Sequence, residues 1–361
     1  MRSAPYQEAL RAAVNYPDND LLVTPVSEGL INKTYKVVIK SNNYKLLLQQ
    51  VNNEVFLEPE KVQANYIAIS GLLNLEEFSS LPMPVRVPSP LCCVDGHFLF
   101  VDSKGNYWRV FEFVENGMTL HKPATAAQAR RVAETFACLT ASFEFYPIEK
   151  IYTTIPGFHD LSLRYWQFRQ ALNIQNFDRL DAAASIISEL KNRERYVDFY
   201  EAIIDSPDFE KRLMHHDAKI SNILFREETG NVICPVDMDT CMPGYFFSDI
   251  GDMIRSMASS DDEKANSLDQ LHIRKDYYES IVEGYLSVLQ EQLTDTEKKY
   301  IHSAGLLMIY MQALRFLTDF LNADIYYHID YPGQNLDRAK NQLTLLTRLE
   351  EFLLSEYSFK L

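Results

Sequence analysis

The sequence lacks the marks of a disulfide-rich, zinc-binding or membrane-spanning protein. Its 5 cysteines are odd in number and form no Cys-x-x-Cys pair. Neither a disulfide framework nor a zinc site is therefore indicated, and buried thiols in a reducing compartment are expected. No uninterrupted apolar run comes near the roughly 18 residues of a membrane-spanning helix, and no apolar signal core follows the N-terminus. We expect a cytoplasmic protein without a membrane partner.

Positive charge is also scarce, with 35 Lys and Arg residues against 50 Asp and Glu residues and a net charge of -15. This balance argues against a nucleic-acid partner, because binding to a phosphate backbone needs clustered basic residues. An acidic chain would suit a cationic substrate such as an aminoglycoside, but the excess acid is scattered and is typical of solvated surface. With 361 residues, the chain is long enough for a substantial core and two lobes.

The most informative segment runs from His215 to Asn222. It has the pattern His-x-Asp-x-x-x-x-Asn, by which kinase-fold enzymes hold a nucleotide's metal close to an acceptor hydroxyl group. In this pattern Asp217 takes or orients the hydroxyl proton, and Asn222 is a magnesium ligand. Lys219 would bring a positive charge to the transferring phosphoryl group, where negative charge develops. The alternative is a polar loop in an unrelated α/β protein.

The segment after this loop supports the kinase interpretation. Two short apolar runs, at 223–225 and 232–236, flank a Glu-Thr-Gly-Asn cluster that is typical of a hairpin turn. The hairpin is expected to bring Asp237, and Asp239 two residues later, back beside the catalytic loop.

The pattern along the chain predicts a small β-rich lobe followed by a larger helical lobe. Strands are predicted at 21–25, 34–39, 44–50, 97–101 and 107–114, with a helix at 59–73. After Gly117, a Thr-x-x-Gln capping box at Thr125 opens an apolar helical stripe. Further helices are predicted at 162–172, 181–204, 274–292, 297–321 and 335–355. The sequence thus predicts an α+β, two-lobe protein-kinase-like fold, with a nucleotide-binding antiparallel-sheet lobe at 1–115 and a mainly helical lobe with the catalytic loop and substrate site at 116–361.

Several separated segments resemble the aminoglycoside phosphotransferase and choline kinase superfamily, and within it the N-acetylhexosamine 1-kinases. The resemblance rests on the catalytic loop and on segments 29–35, 48–52, 108–111, 158–160, 237–244, 248–252 and 315–319. It implies ATP and Mg²⁺ as cofactors and a small-molecule sugar as the substrate.

The resemblance also implies roles for individual residues. Asp217 would be the catalytic base, with Asn222 and Asp237 as magnesium ligands. His215 and Asp249 would be structural residues, and Asp249 would hold the backbone of the catalytic loop. Further positions would bind the nucleotide or the sugar: Gln49 on the third strand, the hinge residues Phe111, Glu112 and Val114, and the sugar-lining residues Arg315 and Tyr326.

Two positions depart from the usual kinase pattern. The third strand carries Gln49 where kinases usually place a lysine that grips the phosphates, so we expect phosphate anchoring to depend more on magnesium and Lys219. Leu30 stands where the related kinases often have histidine, which puts the sugar preference in question.

For two further positions, a purely structural role is the alternative to substrate binding. In the alternative for Arg315, its side chain forms an i,i+4 ion pair with Asp319 on a helix face. His159, next to Asp160, would donate to a substrate hydroxyl or would only hold its loop against the large lobe.

We therefore predict an ATP-dependent kinase that phosphorylates a sugar hydroxyl, specifically the anomeric hydroxyl of an N-acetylhexosamine. One alternative is a kinase of the same fold that acts on choline, an amino alcohol or an aminoglycoside. The other is a nucleotide-binding protein without catalysis, which would have no need of Asp217, Asn222 and Asp237 together.

Overall fold

The structure is a computed structural model that describes residues 5–26, 31–73, 85–173, 176–261, 263–265 and 268–361. The chain divides into two compact units. One, here called the sheet unit, comprises Met1–Thr119, Glu149–Pro156 and Ile223–Pro243. The other, the helical unit, comprises Leu120–Ile148, Gly157–Asn222 and Gly244–Leu361. The assignment of 1–115 to nucleotide binding and 116–361 to catalysis stays a prediction.

The sheet unit is built on a six-stranded antiparallel sheet. Its strands are β1 (Leu21–Val26), β2 (Lys33–Ile39), β3 (Tyr44–Val51), β4 (Pro90–Leu91), β5 (Phe100–Val101) and β6 (Tyr107–Glu112). The order is β1-β2-β3-β6-β4, with β5 also paired to β6. Helix α1 (Gln7–Ala13) packs its apolar side chains on this sheet, whose buried members include Val37, Leu48 and Trp108. Helix α2 (Pro59–Leu73) follows β3.

A second, three-stranded antiparallel sheet in the sheet unit contains the predicted hairpin. Its strands are β7 (Gly117–Met118), β9 (Ile223–Arg226) and β10 (Val232–Pro235). Gly230 turns the chain with a φ of +69°, a conformation that glycine adopts without steric cost. The hairpin predicted after the catalytic loop is confirmed, and Asp237 and Asp239 follow its second strand.

The helical unit contains most of the helices. Its helices are α3 (Ala126–Ala141), α4 (Leu161–Ala171), α5 (Phe177–Lys191), α6 (Arg195–Asp205), α7 (Phe247–Met253), α8 (Lys275–Leu289), α9 (Asp295–Lys299), α10 (Ser303–Leu321) and α11 (Gln334–Tyr357). The short strand β8 (Arg212–Met214) also lies in this unit, and a further short strand, β11 (Met242–Gly244), begins at the end of the sheet unit. Helix α3 packs on α8, and α10 packs on α4, α7 and α11.

Helix α10 is the apolar centre of the helical unit. Among the described residues it is the one helix long and apolar enough to cross a membrane, but 83% of its apolar window is buried inside the protein. Gly251 of α7 allows close packing here, because a Cβ at this position would lie 2.4 Å from the backbone oxygen of Ala304 on α10. The small residue therefore fixes the distance between the two helices.

The predicted α+β architecture, with a small antiparallel sheet and a larger helical part, is confirmed. Helix α2 has the predicted bounds. Thr125 caps α3 by accepting a hydrogen bond from the backbone N–H of Gln128, but the Gln128 side chain accepts from the backbone N–H of Ala124 rather than of Thr125, so only half of the predicted capping box forms. Strand β6 ends at Glu112, two residues before the predicted end, and β5 is shorter than predicted.

Two predicted helices were wrong in extent. The helix predicted at 181–204 is two helices, α5 and α6, because the chain turns at 192–194. Arg193 in this turn bonds to Glu189 and to Glu350 of α11, which stabilises the break. The helix predicted at 297–321 is α9 and α10, separated at Tyr300, whose ring packs against Phe199 and Phe209.

Candidate active site

The catalytic loop of the helical unit brings three predicted residues together. The Nζ atom of Lys219 lies 2.8 Å from Oδ2 of Asp217. Nδ2 of Asn222 donates to the backbone oxygen of Asp217 and to the same Oδ2, both at 2.8 Å. Because the amide nitrogen of Asn222 is occupied in this way, its Oδ1 atom is the one that can bind a cation.

Asp217 is held as a carboxylate. Burial alone raises the pKa of its carboxyl group, but the positive charge and hydrogen bond of Lys219, the charge of His215 and the amide of Asn222 outweigh burial and lower the pKa. The side chain keeps 28% of its surface exposed. An ionised, partly exposed carboxylate can accept a hydrogen bond from an acceptor hydroxyl at neutral pH.

Asp249 fixes the backbone that leads into this loop. Fully buried on α7, its two oxygens accept hydrogen bonds of 2.8 Å from the backbone N–H groups of His215 and His216. Burial raises the pKa of Asp249 to about 6, against the charge of His215 and these two hydrogen bonds. His215 accepts a hydrogen bond from the backbone N–H of Asp217 at 3.3 Å, and its ring packs edge-on against Phe136.

His159 lies beside the catalytic loop. Its Nδ1 atom is 3.2 Å from Nδ1 of His216, and its ring stacks on Phe158 at 4.7 Å. Burial, followed by the charges of His216, Arg315 and other nearby cations, lowers the pKa of His159 well below its usual value. A neutral imidazole is therefore expected at this place. Its neighbour Asp160 caps α4 by accepting from the backbone N–H of Leu163.

Arg315 does not pair with Asp319, so the predicted i,i+4 ion pair is wrong. The Asp319 carboxylate accepts instead from the backbone N–H groups of Tyr326 and Tyr327 and from Nδ2 of Asn335, at 2.8, 3.0 and 2.9 Å. These bonds use both of its oxygens and fix the loop that carries Tyr326. The guanidinium group of Arg315 lies over aromatic rings, 5.2 Å from Phe158 and 6.0 Å from Tyr326.

Arg315 and Tyr326 line a cavity of about 540 Å³ in the helical unit. Arg164, Trp166, Thr318 and Tyr327 are among its other lining residues. Nη2 of Arg164 donates to the backbone oxygen of Phe158, so the cavity wall and the His159 loop are joined. A series of contacts therefore leads from Arg315 through Phe158, His159 and His216 to the catalytic loop.

The sheet unit holds a second group of buried polar side chains. Nη2 of Arg109 on β6 contacts both oxygens of Asp239 at 2.6 and 2.7 Å. Nε and Nη2 of Arg109 also donate to Oε1 of Gln49 on β3, at 2.9 and 2.6 Å, and Nε2 of Gln49 donates to Oγ1 of Thr34. Sequence reasoning missed Arg109, although an arginine inside an otherwise apolar strand is itself a signal.

The predicted hinge covers the last two residues of β6 and the residues just after it. Phe111 is buried and faces Tyr66, with ring centroids 4.6 Å apart. The backbone N–H of Glu112 already donates to the backbone oxygen of Ser89 at 3.0 Å, while Val114 lies beyond the end of β6. The N–H group of Glu112 is therefore already used within the sheet unit.

The remaining predicted positions are Asp237, Gly29 and Leu30. Asp237 lies at the start of a short 3₁₀ turn with a φ of +63°. Gly29 and Leu30 lie outside the described residues. Within the described ranges, no three His, Cys, Asp or Glu side chains form a metal-binding cluster. Asn222 in the helical unit and Asp237 in the sheet unit each carry oxygen donors, the type of ligand that Mg²⁺ prefers.

The comparisons with known proteins agree with this architecture. An aminoglycoside phosphotransferase from Alicyclobacillus acidocaldarius is similar with a TM-score of 0.63 at 14% identity, over 98% of this chain and 96% of that chain. A choline kinase from Cryptosporidium parvum has a TM-score of 0.53 at 14% identity, over 94% and 92%. A spectinomycin phosphotransferase, in complex with ADP and spectinomycin, has a TM-score of 0.57 at 11% identity, over 92% and 93%. The fold is therefore the two-lobe kinase-like fold.

The sequence profile of the phosphotransferase enzyme family matches residues 22–282, well over half of the chain. The chain belongs to this family, and so to the small-molecule phosphotransferases of the aminoglycoside phosphotransferase and choline kinase type.

Proposed function

We propose that this protein is an ATP-dependent, Mg²⁺-dependent kinase that phosphorylates a sugar hydroxyl, specifically the anomeric hydroxyl of an N-acetylhexosamine. The observation that carries the proposal is the cavity lined by Arg315 and Tyr326. Arg315 contacts Phe158, and the neighbouring His159 contacts His216, next to Asp217 in the catalytic loop. A guanidinium fork suits the paired oxygen acceptors of a sugar. Nucleotide use is supported by family membership and by the ADP-bound neighbour.

In the proposed reaction, Asp217 accepts a hydrogen bond from the acceptor hydroxyl and takes its proton as the oxygen bonds to the γ-phosphorus. The bond from that phosphorus to the β–γ bridging oxygen breaks, so the products are a sugar phosphate and ADP. Mg²⁺, when bound, neutralises charge on the transferring group. Oδ1 of Asn222 and the carboxylate of Asp237 are the proposed ligands, while Lys219 keeps Asp217 ionised and in place.

A cationic acceptor is the second candidate, since structural neighbours include a choline kinase and aminoglycoside phosphotransferases. Quaternary ammonium groups bind to cages of aromatic rings. Here the rings of Phe158, Tyr326 and Tyr327 already surround the guanidinium group of Arg315. The carboxylate of Asp319, which also lines the cavity, is occupied by its three donors. The cavity therefore favours a neutral, hydroxyl-bearing acceptor.

The test is a Mg²⁺–ATP assay against N-acetylhexosamines, free hexoses, choline, ethanolamine and aminoglycosides. We expect turnover with an N-acetylhexosamine and loss of that turnover when the anomeric hydroxyl is methylated. Turnover with choline or an aminoglycoside alone would contradict the sugar proposal. If the protein binds Mg²⁺–ATP but phosphorylates none of these compounds, the result would contradict the proposal that it is a kinase for this class of acceptors.

A further inference from the structure

The strand lysine that kinases use for phosphate binding is absent from β3, where Gln49 stands. The structure shows a buried cation on the neighbouring strand instead. Gln49 and Arg109 are paired residues in the β3–β6 register, so their side chains lie on the same face of the sheet. Arg109 is 2% exposed, and its guanidinium group also lies 4.9 Å from the ring of Phe111.

The partner of this cation is Asp239, which is 1% exposed. Besides Arg109, it accepts a hydrogen bond of 2.7 Å from Nδ2 of Asn32, just before β2. Oδ1 of Asn32 in turn accepts from the backbone N–H of Asn52, just after β3. Asp239 is therefore bonded to the side chains of Arg109 on β6 and of Asn32 before β2, and through Asn32 to the backbone just after β3. Its charge is compensated inside the sheet unit.

The buried Asp239 lies two residues after Asp237. Asp237 has a φ of +63° and a ψ of +54°, in the left-handed region that a non-glycine residue occupies only when its surroundings hold it there. The following residues 238–240 form a single 3₁₀ turn. Because the turn is so short, a shift of the buried Asp239 side chain would be transmitted to the backbone close to Asp237.

We propose that Arg109 is a positioning residue for metal binding. Its ion pair with Asp239 holds the turn at 238–240, so that Asp237 presents its carboxylate to the divalent cation of the nucleotide. Gln49 orients the guanidinium group instead of binding phosphate, and the charge of Arg109 acts on the Asp239 carboxylate rather than on the phosphates of the nucleotide. This inference rests on the proposed function, because it assumes that the protein binds a nucleotide with Mg²⁺.

The first experiment separates metal binding from nucleoside binding. Calorimetry would measure the affinity for Mg²⁺ in the presence of saturating ADP, and separately the affinity for adenosine in EDTA. Arg109→Lys is expected to weaken Mg²⁺ binding by about 10- to 100-fold, the usual effect of removing a group that orients a metal ligand. Adenosine binding should not change. Asp237→Ala is the positive control, and Arg86→Lys, at an exposed position of the sheet unit, is the matched control.

The second experiment moves the buried positive charge from Arg109 on β6 to position 49 on β3, where kinases usually have a lysine. Arg109→Gln removes the cation from β6, and the additional change Gln49→Lys places one on β3, one hydrogen bond from the site of the lost guanidinium group. The double variant is expected to recover Mg²⁺ binding relative to Arg109→Gln. If Arg109→Gln does not fold, the double variant is compared with Arg109→Lys.

Three results would overturn the inference. One is a normal Mg²⁺ affinity in Arg109→Lys, even with a lowered Tm, since Arg109 would then only stabilise the fold. Another is an equal loss of Mg²⁺ and adenosine binding, which would indicate a general distortion of the sheet unit. The third, wild-type protein that binds no Mg²⁺–ADP at all, would contradict the proposed function as well.

Discussion

Asp217 and Asp249 are carboxyl groups of the same unit whose surroundings move their pKa values in opposite directions. Asp217 is buried in part but lies against the ammonium group of Lys219, which favours its charged form. Asp249 is fully buried, and its two backbone hydrogen bonds do not compensate for lost hydration, so its pKa rises to about 6. The first residue is therefore suited to contact a substrate hydroxyl, and the second to hold a backbone.

The role of Asp217 predicts a specific kinetic defect. Asp217→Asn is expected to lower kcat by roughly 10²- to 10⁴-fold, because the carboxylate that accepts the hydroxyl proton is lost. Nucleotide affinity should change little, since this residue is assigned to the acceptor. Steady-state kinetics with the best acceptor, combined with ADP calorimetry, are the measurement. Near-normal kcat in a correctly folded variant would remove Asp217 from the reaction.

The position of Arg315 predicts a defect in acceptor binding. Arg315→Ala removes a guanidinium group that donates a hydrogen bond of 3.3 Å to Oε1 of Gln312 and otherwise faces aromatic rings and the cavity. We expect kcat/KM for the sugar to fall by a factor that corresponds to roughly 1 to 3 kcal/mol, with KM for ATP unchanged.

The control for Arg315 is Arg169→Ala, at an exposed position of α4 that does not line the cavity. Because Arg315 forms no ion pair with Asp319, a large loss of thermal stability is not expected. If kcat/KM for the sugar is unchanged in Arg315→Ala, the cavity lined by Arg315 does not bind the sugar.

At the scale of elements, the spacing between α7 and α10 determines where Asp249 lies. Gly251→Ala would place a Cβ 2.4 Å from both the backbone oxygen of Ala304 and Cγ of Met308. Such overpacking commonly costs roughly 1 to 3 kcal/mol, and here it must also shift α7 and its carboxylate. We predict a lower Tm together with a lower kcat, measured by thermal melting and the kinase assay.

Gly71→Ala provides the matched control for Gly251. Gly71 lies in helix α2, and a Cβ at this position would meet nothing within 4 Å. Alanine in an open helical position is expected to stabilise the protein by up to about 1 kcal/mol. If Gly71→Ala and Gly251→Ala have the same effect on Tm, the close contact between α7 and α10 is not what makes glycine necessary.

Elements with strong local signals were predictable from the sequence, whereas those decided by distant contacts were not. The capping residue Thr125 and the hairpin turn before Val232 depend on neighbouring residues alone. The break between α5 and α6 depends on Glu350, which is far along the chain from Arg193. The same applies to the site: the catalytic loop is a local motif, but the ion pair of Arg109 joins residues 130 positions apart.

At the scale of the whole molecule, the net negative charge contrasts with a local group of arginines around His159 in the helical unit. The chain carries a net charge of -15. Around His159, however, the cations Arg164, Arg255 and Arg315 act together to disfavour a further proton. Arg255 is paired with Asp252 and Glu263, whereas Arg164 and Arg315 line the cavity of the helical unit.

We expect the titration of Asp249 to make the free energy of unfolding of the whole protein depend on pH. Its carboxyl group keeps a proton in the folded protein up to a pH of about 6, whereas in the unfolded chain it loses that proton near pH 4. The folded state therefore binds more protons than the unfolded state between these two values, and the free energy of unfolding falls as pH rises through this window. For a shift of about 2 pKa units, the contribution of Asp249 is on the order of 3 kcal/mol.

The measurement is the free energy of unfolding of wild-type protein and of Asp249→Asn, determined by urea denaturation at several values between pH 4 and pH 7. Asparagine does not titrate, but it keeps an oxygen that can accept from the backbone N–H of His215 or His216. Groups that do not interact with Asp249 titrate equally in both proteins, so their contributions cancel in the difference. The wild type should lose stability relative to the variant as pH rises from 4 to 6, and the difference should be constant above that range. A difference that stays the same at every pH would show that the buried carboxyl group is already ionised at pH 4, held by its two backbone hydrogen bonds.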